Sequence, residues 1–245
     1  MRIVIIGGGN MGSAILIALS KLKHNSQKNI LLIEKDEEKR IKLGSIVGCE
    51  TRSEVDNHIR YYDFLLIAVK PQAAKSLMKL LAKWILPEQV VISVMAGISM
   101  SKISDSLNQK KIVRVMPNIP TLISEGVSVF YATKAVSNIE LKNIKTILSA
   151  CGTCIEANDE DALDAATAIS GSGPGYIYFF AEEIMSSAKL LGFSEKDANT
   201  LVQKTFLGSI LLWQHQALPP DILRKQVSSP GGTTLEALNH FKSKK

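Results

Sequence analysis

Hydrophobic positions early in the chain fall in short unbroken runs; later they fall at helical spacing. Residues 2–6 read as a buried strand, a glycine-rich segment follows, and residues 13–22 carry a helical period. Apolar runs at 29–34, 63–69 and 89–95 read as further strands, with an amphipathic helix over 73–84 before the last of them. Residues 112–115, 126–132 and 153–156 complete the strand set. Runs that are apolar throughout belong to strands covered on both faces, as in parallel sheets. Strands alternating with helices predict an α/β fold: a Rossmann-like, doubly wound, mostly parallel sheet with helices on both faces.

The pattern changes near Asn158. Residues 159–169 are helical by period, and Ser170-Gly171-Ser172-Gly173-Pro174-Gly175 breaks them. A helix beginning at Pro174 or Gly175 runs to Leu191 and stops at Gly192, where a left-handed C-cap is expected. Ser194 and Asp197 have capping-box spacing and open a helix to about His215; Pro219-Pro220 marks a turn. The chain therefore divides into a dinucleotide-binding domain at 1–158 and an all-helical domain at 159–245. The second domain is expected to need another surface to cover its apolar faces.

Composition narrows the classes. Of 245 residues 46% are hydrophobic, a globular proportion. The net charge of +6 comes largely from scattered lysines, with a small cluster at Lys242, Lys244 and Lys245. No basic stripe carries interleaved aromatics, so the charge reads as solubility rather than nucleic-acid binding, and it suits anionic small molecules. No run approaches the roughly 20 apolar residues of a membrane span, and the apolar start is shorter than a signal-peptide core. Three cysteines, Cys49, Cys151 and Cys154, do not make a disulfide scaffold. Cys151 and Cys154 lie in an apolar run, 147–155, that reads as strand, so they are expected to be packed. His24, His58, His215 and His240 are scattered. Neither a metal cluster nor a Ser/His/Asp triad is evident, and a cytoplasmic protein is expected.

Two segments carry candidate chemistry. Gly7-Gly8-Gly9-Asn10-Met11-Gly12 is a G-x-G-x-x-G fingerprint between a strand and a helix. Gly7 would allow the tight turn, Gly9 the close approach of a pyrophosphate, and Gly12 close helix–strand packing. Glu34, at the end of the second strand, is placed to accept a ribose 2′-hydroxyl and to repel a 2′-phosphate, favouring NADH. Lys35, Lys39 and Arg40 are close enough to bind a 2′-phosphate instead, which would favour NADPH. The second segment is Val227-Ser228-Ser229-Pro230-Gly231-Gly232-Thr233-Thr234. It reads as a helix start with Ser229 at the N-cap and Pro230 in the first helical position, able to hold a carboxylate on free N–H groups.

With both segments in view, the chain from Met1 to about Leu238 resembles the pyrroline-5-carboxylate reductase family. The resemblance rests on the fingerprint, Ala68-Val69-Lys70-Pro71, the 93–97 segment SVMAG, Arg114-Val115-Met116-Pro117-Asn118, Ser170 through Tyr176, and Ser229 through Thr234. It implies hydride transfer from NAD(P)H to the C=N bond of 1-pyrroline-5-carboxylate, giving proline. It further implies a cofactor held by Gly7, Gly9, Asn10, Met11, Gly12, Glu34 and Lys35, with Ala68, Val69, Lys70 and Pro71 lining the nicotinamide side and Ala96, Gly97 and Asn118 completing the cofactor wall. The substrate carboxylate would lie on Ser229, Gly232, Thr233 and Thr234, with the Thr234 hydroxyl facing the ring nitrogen as the catalytic contact. A homodimer through the helical domain, with larger rings of dimers, is also implied. The chain departs from the family at Ile119, where threonine is usual, and at Pro219-Pro220 and Arg224-Lys225; the family usually continues about one helix beyond Lys245. Two alternatives remain at this stage: a relative acting on another imine or a hydroxy acid, and a nucleotide-binding interaction protein without turnover.

Overall fold

The computed structural model describes residues 1–22 and 27–243. His24, Lys244 and Lys245 lie outside the described residues. Among the described residues eight strands form one sheet in the order β3-β2-β1-β4-β5-β6-β7-β8. They are β1 (Ile3–Ile6), β2 (Ile30–Ile33), β3 (Glu50–Arg52), β4 (Phe64–Ile67), β5 (Val90–Ser93), β6 (Ile112–Met116), β7 (Gly126–Ala132) and β8 (Gly152–Glu156). All pairs are parallel except β6 with β7. Only nine residues join β6 to β7, too few for the crossover a parallel pair needs, and they wind into a 3₁₀ turn, Ile119–Ile123.

Alternate side chains of each strand point to opposite faces, so the sheet carries two cores. Ile3, Ile5, Leu32, Leu66 and Ile92 face one; Val4, Ile6, Leu31, Leu65 and Val91 face the other. The helices of this region are α1 (Asn10–Ser20), α2 (Glu37–Val47), α3 (Ala74–Leu81), α4 (Met100–Leu107) and α5 (Asn138–Ser149). The doubly wound expectation holds. α1 starts three residues earlier than its period suggested, because Gly9 serves as its N-cap and the fingerprint feeds directly into it.

Two local expectations are corrected. The run 147–155 is not one strand: residues 147–149 are the last turn of α5, which buries Ile144, Ile147 and Leu148 at helical spacing. Gly152, at φ +128, makes the turn, and a Cβ there would meet the Gly126 backbone. Cys151 is buried in this turn and Cys154 stands on β8. The break foreseen at 170–175 is instead a π-turn, Thr167–Gly171, between α6 (Ala162–Ala166) and α7 (Gly173–Leu190). The Thr167 and Ser170 hydroxyls donate to the carbonyls four residues back, and the Ser172 N–H reaches back to the Thr167 carbonyl at 2.8 Å. Hydroxyls that bond the helix's own carbonyls favour such widening.

The chain separates into two compact units, Met1–Gly175 and Tyr176–Lys245. The last strand ends at Glu156, near the expected change of character, while residues 159–175 pack with the first unit. The second unit holds most of α7, then α8 (Glu195–Gln216), α9 (Pro220–Gln226) and α10 (Thr233–Ser243). Ser194 caps α8 by accepting the Asp197 N–H, and Gly192, at φ +95, follows α7. Among its described residues only Ala198 and Val202 are buried hydrophobics, while Phe179, Phe180, Leu211 and Trp213 are exposed and Leu190 is 90% exposed. Helices that bury so little have no core of their own.

Candidate active site

The strand order creates the candidate cofactor site. From β1 the chain moves outward to β2 and β3, then returns to β4 on β1's other side, leaving a crevice at the carboxyl ends of β1 and β4. The fingerprint lies there. Gly7 has φ +102, and a Cβ on it would come 2.7 Å from the Ala68 carbonyl oxygen. A Cβ on Gly12 would overlap the Gly7 carbonyl oxygen. Gly9 is different: nothing lies within 4 Å of where its Cβ would be. That open space faces the first turn of α1, where Gly9 and Asn10 are exposed and Met11 is half-buried. The first N–H groups of a helix have no partner within it, and they carry the positive end of its dipole. A pyrophosphate therefore fits this turn.

Glu34 follows β2, and its carboxylate is a clasp. One oxygen accepts the Gly8 N–H at 2.5 Å and the other the Asp36 N–H at 2.9 Å. The bases that could favour a phosphate are partly committed. Arg40 donates to the Glu34 and Lys35 carbonyls, at 3.1 and 3.4 Å, and Lys39 pairs with Asp36 at 3.5 Å. Lys35 is exposed and makes no ion pair among the described residues. A cleft of 340 Å³ opens here, with Gly7, Glu34 and Lys35 on its rim and Val55, Leu77 and Leu80 among its apolar walls. Its apolar lining and polar rim suit a nucleoside.

The neighbouring strand ends supply further residues. Ala68 and Val69 are half-buried after β4; Lys70 and Pro71 are exposed, and Pro71 opens a short 3₁₀ turn into α3. Ala96 and Gly97 are exposed after β5, with Gly97 at φ +71. Asn118, after β6, accepts the Val127 N–H on its side-chain oxygen at 2.9 Å, which ties its side chain to β7. The residues assigned to the cofactor from the sequence thus stand in the loops leaving one edge of one sheet or, for Asn10, Met11 and Gly12, on the first turn of α1.

Sequence reasoning missed a charged cluster beside this edge. Arg114, on β6 and only 7% exposed, bonds Glu160 and Asp164, both at 2.9 Å. The spacing of an acid at i and i+4 before an apolar helix was the signal available. Cys151 is also chemically distinct: burial pushes its thiol up to about 11. Among the described residues no three His, Cys, Asp or Glu side chains converge as metal ligands, and no helix is long and apolar enough to cross a membrane.

The segment expected to hold the substrate carboxylate lies in the second unit, and here the expected capping is corrected. Ser229 is not the N-cap and Pro230 is not helical. Residues 229–232 form a tight turn in which the Gly232 N–H donates to the Ser229 carbonyl at 3.0 Å and Gly231 has φ +70. Proline at the second turn position and glycine at the third dictate this geometry. α10 then begins at Thr233, and the Gly232 carbonyl accepts from Leu235 and Glu236. The Ser229 hydroxyl lies 2.6 Å from where a Gly232 Cβ would be, so a larger residue there would push the hydroxyl aside. Among the described residues no hydrogen bond uses the N–H or the hydroxyl of Thr233 or Thr234. Thr200 and Thr205, by contrast, spend their hydroxyls on the helix backbone.

A glycine fingerprint at the β1/β4 crevice and a mostly parallel doubly wound sheet define a dinucleotide-binding oxidoreductase fold. Residues 160–245 match the family described as pyrroline-5-carboxylate reductase dimerisation, and residues 2–97 match NADP oxidoreductase coenzyme F420-dependent. The chain is 32% identical over 243 residues to pyrroline-5-carboxylate reductase of Pseudomonas aeruginosa, covering 99% of this chain and 89% of that one. It is 33% identical to that of Aquifex aeolicus, covering 100% and 90%. The solved pyrroline-5-carboxylate reductase of Coxiella burnetii superposes with a TM-score of 0.90 at 30% identity, covering 99% of this chain and 90% of that one. The Plasmodium falciparum enzyme with NADP bound superposes at 0.87 with 28% identity, over 100% and 90%. The chain belongs to the pyrroline-5-carboxylate reductase family.

Proposed function

We propose that this protein reduces 1-pyrroline-5-carboxylate to proline, the last step of proline biosynthesis. The observation that carries the reading is a fingerprint formed at the β1/β4 crevice of a chain whose relatives, matched along nearly its whole length, are pyrroline-5-carboxylate reductases. Bound NAD(P)H supplies the hydride for the C=N bond. Gly7, Gly9, Asn10, Met11 and Gly12 hold the pyrophosphate, and Ala68, Val69, Lys70, Pro71, Ala96, Gly97 and Asn118 surround the nicotinamide. A protonated cyclic imine is already electrophilic, so the protein's task is position and charge complementarity.

NADH is the preferred cofactor in this reading. Glu34 puts a carboxylate on the rim of the nucleoside cleft; Arg40 and Lys39 are already engaged, and Lys35 beside it makes no ion pair among the described residues. The Ser229–Gly232 turn and the free N–H groups of Thr233 and Thr234 hold the substrate carboxylate, and the Thr234 hydroxyl bonds the ring nitrogen. The helical region from residue 159 onward serves substrate binding and a homodimer in the cytoplasm, the dimer supported by the dimerisation-family match and by the exposed apolar helices. Steady-state rates with both cofactors test the preference. NADH should give the higher kcat/KM, and Glu34→Ala should lower the NADH-to-NADPH ratio; a wild-type preference for NADPH would reject the role given to Glu34.

A further inference from the structure

The loop that carries Ala96 and Gly97 is held at both ends. At its start the buried Ser93 hydroxyl accepts the Met95 N–H at 3.3 Å, and Met95 itself is buried. At its end α4 begins, and the N–H of Met100 is one of the first-turn donors that a helix leaves without an internal partner. A carboxylate sixty residues away fills that vacancy: Glu160 accepts the Met100 N–H at 2.8 Å. The same Glu160 oxygen accepts from Arg114 at 2.9 Å, and Arg114 is fixed on β6 by burial and by Asp164. Between the two anchors Ala96 and Gly97 are exposed, and nothing lies within 4 Å of where a Gly97 Cβ would stand.

We propose that Glu160 is a positioning residue for the cofactor: by holding Met100 it fixes the exposed turn at Ala96 and Gly97 against which the nicotinamide lies. The proposal rests on the assignment of that turn to the cofactor wall. Asp164 is the internal control, because it shares Arg114 with Glu160 but bonds no loop N–H. Loss of the clamp loosens the wall without removing any group that touches the cofactor, and misplacement of this kind weakens binding.

The test is NADH affinity by fluorescence titration, with kcat and KM, for Glu160→Ala, Glu160→Gln, Asp164→Asn and Gly97→Ala. Glu160→Ala should weaken NADH binding about tenfold, as expected for loss of a charge-assisted hydrogen bond that orients a site. Glu160→Gln keeps an acceptor for Met100 and should recover most of that loss. Asp164→Asn should bind NADH like wild type even if its melting temperature falls as far as that of Glu160→Ala. Wild-type affinity in Glu160→Ala, or equal weakening in Asp164→Asn, overturns the clamp. If Gly97→Ala leaves NADH affinity unchanged, the cofactor-wall assignment fails instead, whatever Glu160 does.

Discussion

Thr234 and Gly12 show how single residues can be read for different jobs. Gly12 is explained by packing, since any side chain there runs into the Gly7 carbonyl. Gly12→Ala should therefore lower the melting temperature and weaken NADH binding together. Thr234 is explained by what its side chain does not do: its hydroxyl and N–H are uncommitted among the described residues, on the first turn of a helix. Thr234→Ala keeps every backbone donor and loses only the hydroxyl. It should cut kcat by about 10- to 100-fold, the worth of a hydrogen bond to a charged group, with KM for NADH unchanged. Cys151 was expected to be packed, and burial raises its thiol to about 11 and leaves almost no thiolate at pH 8. In a mass-mapped labelling experiment at pH 8, Cys151 should resist iodoacetamide in the folded protein and react once urea unfolds it.

Elements follow the sequence pattern where apolar spacing decides and depart from it where local polar chemistry decides. The buried runs of β1, β4 and β5 were legible because both faces of a central parallel strand are covered, so every position is apolar. α2 and β3 were not: α2 buries only Leu43 and Val47, and the half-exposed β3 is three residues long. The α5 start depends on a capping box. Ser137 and Glu140 exchange hydrogen bonds, and Lys111 donates to Glu140 at 2.7 Å. Burial pushes the Glu140 carboxyl up, but the Lys111 and Ser137 bonds outweigh it and hold the group below its ordinary 4.5. A carboxylate with a lowered folded pKa stabilises above its unfolded value and loses that contribution as pH falls through the folded value. Glu140→Gln should therefore cost about 1 kcal/mol near neutral pH. In thermal melts its deficit against wild type should shrink toward zero as the pH falls below 4.5.

For the whole molecule, the distribution of apolar surface matters most. The sheet unit buries its hydrophobics on two faces, whereas the second unit exposes Tyr178, Phe179, Phe180, Leu207, Leu211 and Trp213. Such a surface marks an interface. Light scattering should give at least twice the 26.7 kDa chain mass, and charged substitutions at Phe179 and Leu211 should shift the protein toward the monomer. The candidate cofactor edge was legible in sequence because five strand ends, each recognisable by its apolar run, deliver their following residues to one place. The candidate substrate turn was legible by composition but not by geometry. A proline and two glycines after a serine suit either a helix cap or a tight turn, and only the positive φ of Gly231 separates them. The most direct measurement is the oxidation of NADH and NADPH by the purified protein with 1-pyrroline-5-carboxylate, with the product identified by chiral chromatography. Imine-dependent oxidation with stoichiometric L-proline is the expected result; no oxidation with either cofactor would contradict the reading.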